Sequence, residues 1–181
     1  MIERRFVGLT AENVLIKEGF HIVKWDYDSR GNIVEERTFG IDENPILQKE
    51  NNYATMKSSY DERDNQIAVA FYGSDGNPTV HGKGMSSYSA KYDERNNRIE
   101  LKYYGLDGEP TFHSSGFSMS KQAYDERNYK IEESYYGLNG EPTIIKTGHS
   151  KVRYSYDHYG NRIEISSVSY THLTLPTIYS V

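Results

Sequence analysis

The stretch Tyr92-Asp93-Glu94-Arg95-Asn96-Asn97-Arg98-Ile99-Glu100-Leu101-Lys102-Tyr103-Tyr104-Gly105-Leu106-Asp107-Gly108-Glu109-Pro110 decides how the chain is read. Ile99, Leu101 and Tyr103 alternate with Glu100 and Lys102, the period of a half-buried strand. Asn96-Asn97 before it and Asp107-Gly108 after it tolerate a left-handed backbone, so a turn stands at each end. Outward from this stretch, Tyr60-Asp61-Glu62-Arg63 and Tyr124-Asp125-Glu126-Arg127 repeat Tyr92-Asp93-Glu94-Arg95 at an interval of 32 residues. Tyr27-Asp28-Ser29-Arg30 lies 33 residues before Tyr60, and Tyr156-Asp157-His158-Tyr159 continues the series. Full units are 27–59, 60–91, 92–123 and 124–155, with partial units 1–26 and 156–166.

Three places in each unit accept only residues that tolerate positive φ. The first holds Gly31, Asp64, Asn96, Asn128 and Gly160. The second is Asp75-Gly76, Asp107-Gly108 and Asn139-Gly140, degraded to Asp42-Glu43 and Thr10-Ala11, and the third holds Gly19, Asn52, Gly84, Gly116 and Gly148. A second strand precedes each first turn: over 85–93, Tyr88, Ala90 and Tyr92 alternate with Ser89 and Lys91. The segment 109–115 carries a proline, as do its equivalents with Pro45, Pro78 and Pro142, and reads as a loop or edge strand. Two long strands and one connection per unit keep successive units in one orientation. The expected fold is all-β: tandem 32-residue β-hairpin repeats stacked into a twisted antiparallel sheet or open spiral, each burying Tyr and Ile against its neighbours.

Ile2-Glu3 aligns with Ile99-Glu100 and Gly8-Leu9 with Gly105-Leu106, so the chain opens in mid-repeat. Neither end offers a polar cap, and the polypeptide is expected to continue beyond both. Where the register asks for Tyr-Tyr-Gly near 167–169 the chain gives Ser167-Val168-Ser169. The run 168–177 resembles translated sequencing-adapter read-through, so 167–181 is expected to be a non-native tail, and the array is read as 1–166.

The net charge of -5 and pI near 5.7 offer no basic field for nucleic acid. No stretch approaches the ~20 apolar residues of a spanning helix, and the residues after Met1 lack the apolar core of a signal peptide. With no cysteine, disulfides and thiolate metal sites are excluded. His21, His81, His113, His149, His158 and His172 show no paired short spacing and read as satisfied or solvent-facing side chains.

Tyr27-Asp28-Ser29-Arg30-Gly31-Asn32 and the segment Val152-Arg153-Tyr154-Ser155-Tyr156-Asp157-His158-Tyr159-Gly160-Asn161-Arg162-Ile163-Glu164 resemble the tyrosine-aspartate (YD) repeat of Rhs-type bacterial proteins. The match covers about a third of each unit, the 32-residue period is longer than that family's, and the half exemplified by Tyr104-Gly105-Leu106-Asp107-Gly108-Glu109-Pro110 lies outside it. The resemblance implies strips of β-hairpins, commonly in surface or secreted proteins, and in toxin complexes a shell around a cargo domain.

Stacked units set Asp61, Asp93 and Asp125 in a row, a pattern that suits Ca²⁺, but Asp in this position ordinarily serves its own turn, with each Arg pairing locally with Glu. Glu62, Glu94 and Glu126 recur with near-identical neighbours, whereas an active site needs one asymmetric pocket, so no catalytic residue, metal or cofactor is assigned. Tyr72, Tyr104 and Tyr136 follow Phe71, Tyr103 and Tyr135 and must face the other way. If uncovered, that row suits a glycan or protein partner; if covered, it serves stacking. The expectation is a non-catalytic repeat scaffold for interaction or display, part of a larger bacterial surface or secreted protein. The alternatives are a passive spacer or toxin-shell segment, and a glycan-binding module using the aromatic row; a glycan-processing enzyme would need an asymmetric acidic pocket in one repeat.

Overall fold

The computed structural model describes residues 1–169. The fold grows from a turn used five times. Asp93 N–H donates to Asn97 O (2.9 Å) and Asn96 N–H to Asp93 O (3.2 Å), closing a tight turn with Asn96 at φ 64°. The Asp93 carboxylate completes it: Oδ1 accepts from the N–H of Arg95 and Asn97, and Oδ2 accepts from Asn97 Nδ2. Asp28, Asp61 and Asp157 do the same. All fifteen positive-φ residues among those described fall at the three places read from the sequence, including the degraded Glu43 (φ 61°) and Ala11 (φ 63°).

Each such turn joins two strands, and one further strand, β1 (Ile2–Arg5), precedes them: β2 (Ile22–Tyr27) and β3 (Ile33–Phe39), β4 (Thr55–Tyr60) and β5 (Gln66–Tyr72), β6 (Ser87–Tyr92) and β7 (Arg98–Tyr104), β8 (Met119–Tyr124) and β9 (Lys130–Tyr136), β10 (Lys151–Tyr156) and β11 (Arg162–Val168). They form one open antiparallel sheet of 11 strands whose spatial order is the chain order, and each strand packs only on its chain neighbours. No helix among the described residues is long and apolar enough to cross a membrane. Ser167 and Val168 close β11, paired with Val152 and Lys151, and Ser169 follows; residues 170–181 of the expected tail lie outside the described residues.

A bulge follows every first turn. Tyr92 pairs with Arg98 and Lys91 with Glu100, which leaves Ile99 without a partner, and Val34, Ile67, Ile131 and Ile163 are passed over likewise. The expectation that isoleucine shares the core is therefore corrected for Ile99, Ile131 and Ile163, which stay 36%, 37% and 66% exposed, because the bulge sits at the hairpin tip. The repeat tyrosine stitches this place across units. Tyr60, Tyr92, Tyr124 and Tyr156 donate their hydroxyls to the carbonyls of Ile33, Gln66, Arg98 and Lys130, one unit back.

The proline segments form short hairpins that fold over one face of the sheet. Tyr104 bridges Pro110, Thr111 N–H donates to Tyr103 O, and the third turn closes with His113 N–H to Phe117 O (2.8 Å). Successive covers are tied side by side by single backbone bonds: Lys49 to Glu18, Gly82 to Asn51, Ser114 to Lys83 and Lys146 to Ser115. Beneath them Val69, Phe71, Ala90, Leu101 and Tyr103 of the sheet meet Tyr53, Met85, Phe117 and Ile145 of the covers. Burying Leu101 or Phe71 contributes about 2 kcal/mol each.

Candidate functional site: the uncovered face

Strand pairing places Lys24, Arg37, Lys57, Ala70, Ser87, Lys102, Met119, Ser134 and Lys151 on the sheet face opposite the covers. Opposite charges meet across the strands there. Lys24 pairs with Glu3 (3.0 Å), Arg37 with Asp26, Lys91 with Glu100 (3.0 Å), and Glu132 takes both Lys151 (2.8 Å) and Arg153 (3.0 Å).

Tyr72, Tyr104 and Tyr136 end β5, β7 and β9 on this face, opposite the core-facing Phe71, Tyr103 and Tyr135. All three are half-buried, between the two outcomes foreseen for them. Their proline segments flank them through the bridges to Pro78, Pro110 and Pro142. Lys57 Nζ lies 5.2 Å from the Tyr72 ring centre and Lys121 Nζ 5.5 Å from that of Tyr136. Ser89 replaces the lysine beside Tyr104, and its Oγ lies 3.1 Å from the Tyr104 hydroxyl.

The pattern of charged side chains is interrupted at β5. Ala68 and Ala70 stand where β3 has Glu35 and Arg37 and β7 has Glu100 and Lys102, and their cross-strand partners are Ser59, Lys57, Ser89 and Ser87. The result is an open groove of about 440 Å³ between Tyr72 and Tyr104, floored by alanine and serine and edged by Lys57. A second hollow of about 300 Å³ lies between Tyr104, Pro110, Met119 and Leu138. Sequence reasoning picked out the tyrosines but missed this floor. The signal was present in the alignment of units, yet only the strand register shows that alanines and serines from three strands adjoin.

The aspartate row is occupied by its own turns. The Asn97 side chain first, and then the turn N–H groups, hold the Asp93 carboxyl below the usual range, and Asp61 is held in the same way by Asn65. The arginines depart from expectation: instead of pairing with Glu, Arg30, Arg95 and Arg127 donate Nη1 to the carbonyls of Asp61, Asp125 and Asp157 in the following unit. A planar guanidinium one turn away reaches that oxygen, whereas Glu62, Glu94 and Glu126 are exposed at the turn tips. Among the described residues no His, Asp and Glu group is arranged to hold a metal ion. His21 and His81 are buried, His113 and His149 are half-buried, His158 is exposed, and His172 lies outside the described residues. Two carboxylates, Glu36 and Glu133, face the covers in single units; Glu36 accepts from Trp25, Gln48 and Tyr53, and Glu133 from Gln122 and Lys130.

No family model matches the chain, and no curated protein matches it significantly. Among solved structures it is similar to TcdB2-TccC3-TEV (13% identity, TM-score 0.37), TcdB2-TccC3 (12%, 0.39) and TcdB2-TccC3-Cdc42 (17%, 0.41). The alignments cover 92%, 94% and 91% of this chain and 9% of each of those chains.

Proposed function

We propose that this chain is a non-catalytic β-hairpin scaffold for interaction, and that its uncovered face binds a polar extended ligand, a glycan or a peptide, along the Tyr72–Tyr104 groove. The observation that carries this reading is the loss of charged side chains from β5, where Ala68 and Ala70 leave two aromatic walls, a serine-lined floor and one lysine edging an open groove. Aromatic faces with flanking hydroxyls and a cation suit polar ligands that also carry apolar faces. A bacterial surface or secreted setting is supported by the resemblance to the YD repeat.

The second reading, a passive spacer or toxin-shell segment, is supported by the cover that Lys57, Lys121 and the prolines give the tyrosine row. A glycan-array and peptide-array screen of the chain against its Tyr72→Ser/Tyr104→Ser/Tyr136→Ser variant separates the two. Binding is expected to fall at least tenfold in the variant; equal signals would leave the spacer reading.

A further inference from the structure

The third turn of units 60–91 and 92–123 is built like the first, with histidine in place of aspartate. His81 Nδ1 accepts from Lys83 N–H at 3.0 Å and His113 Nδ1 from Ser115 N–H at 3.1 Å, as Asp93 Oδ1 accepts from Arg95 N–H. A neutral imidazole that accepts at Nδ1 carries its proton on Nε2, so a second proton has to land on the nitrogen that holds the turn.

Both rings lie under the covers. His81 is 8% exposed, with its centroid 4.6 Å from Phe71 of β5 and 5.8 Å from Tyr53 of the preceding cover. His113 is stacked on Tyr103 of β7 at 4.8 Å and lies 5.6 Å from Phe117. The titratable and charged groups facing them are Tyr53, Tyr103, Lys83 and, for His81, His113 itself; Glu36 stands behind the Tyr53 hydroxyl. Burial first, and then the positive charge of Lys83, makes both imidazoles harder to protonate than a free histidine.

The same turns tie the covers together. Lys83 gives its N–H to His81 and its carbonyl to Ser114, while Ser115 gives its N–H to His113 and its carbonyl to Lys146. Ile16, Gln48 and Ile145 hold the equivalent position in the other units, and Gln48 Oε1 accepts only from a neighbouring side chain, Asn51 Nδ2.

We propose that His81 and His113 form an acid-opened latch, which releases the two central covers on acidification and exposes the aromatic face beneath them. The sign follows from the neutral folded imidazoles. As pH falls below about 6.5 the unfolded or opened chain takes up protons that the closed cover refuses, so closure weakens on acidification and is unaffected above pH 7.

Site-resolved amide exchange of the whole chain, referred to intrinsic rates, tests this between pH 7.5 and 5.5. Protection at Lys83, Gly84, Ser115 and Gly116 is expected to fall at least fivefold, while the Asn52 turn holds. In H81Q/H113Q, which installs the residue that unit 27–59 already carries, the loss should vanish. Equal loss at every third turn, or an undiminished loss in the double variant, overturns the latch. If the double variant fails to fold, the comparison of the Asn52 turn with the histidine turns in the unmodified chain decides alone.

Discussion

Asp93 holds its turn through three hydrogen bonds from a half-buried position at the hairpin tip, so its worth is local and pH-dependent. Its folded carboxyl is depressed, so the contribution is complete above the unfolded value of about 4 and is lost as pH falls through the folded value. Asp93→Ala is therefore expected to melt at a lower temperature than the parent at pH 7, with the gap narrowing as pH falls below about 4; a gap constant with pH would show that the carboxylate is not the cause. Gly82 is a different case, since a Cβ there would run into the Glu50 carbonyl of the preceding cover. Gly82→Ala should cost about 1–3 kcal/mol in urea unfolding, because the covers cannot move apart without losing the Gly82 to Asn51 bond. Ala11, at φ 63°, should behave in the opposite sense, Ala11→Gly stabilising the chain by about 0.5–1 kcal/mol.

At the scale of elements, the cover hairpin is the part that turns a bare sheet into a core. Phe117 reaches Tyr103 (5.6 Å) and Tyr135 (5.0 Å) of two different strands, so one side chain anchors the cover across a unit boundary. Phe117→Ala should destabilise by about 3–5 kcal/mol in denaturant unfolding. Tyr92→Phe removes only the hydroxyl bonded to Gln66 O and should cost about 0.5–1.5 kcal/mol. A larger loss for Tyr92→Phe than for Phe117→Ala would invert this order and place the stability in the stitching of units instead of the cover.

The whole molecule is a one-dimensional array, because strands contact only their chain neighbours and each unit presents to the next the surface it received from the last. Removing residues 92–123 joins Lys91 to Tyr124, which occupies the register position of Tyr92. The shortened chain is expected to keep its β-sheet circular dichroism and a cooperative melt at lower temperature. Loss of all sheet signal would show coupling beyond nearest neighbours.

The positive-φ corners, the two strands per unit and the opposite facing of Phe71 and Tyr72 were legible in the residues, because left-handed backbone and strand alternation are local properties of the chain. The bulge at Ile99 was not, since a repeat of apolar residues looks the same whether or not a partner strand skips one. The same holds for Gly82, whose need arises from another unit's carbonyl, and for the groove floor, which takes Ser59, Ala68, Ala70, Ser87 and Ser89 from three strands. Backbone permissiveness is written residue by residue; which side chains and carbonyls meet across units is decided only when the hairpins stack.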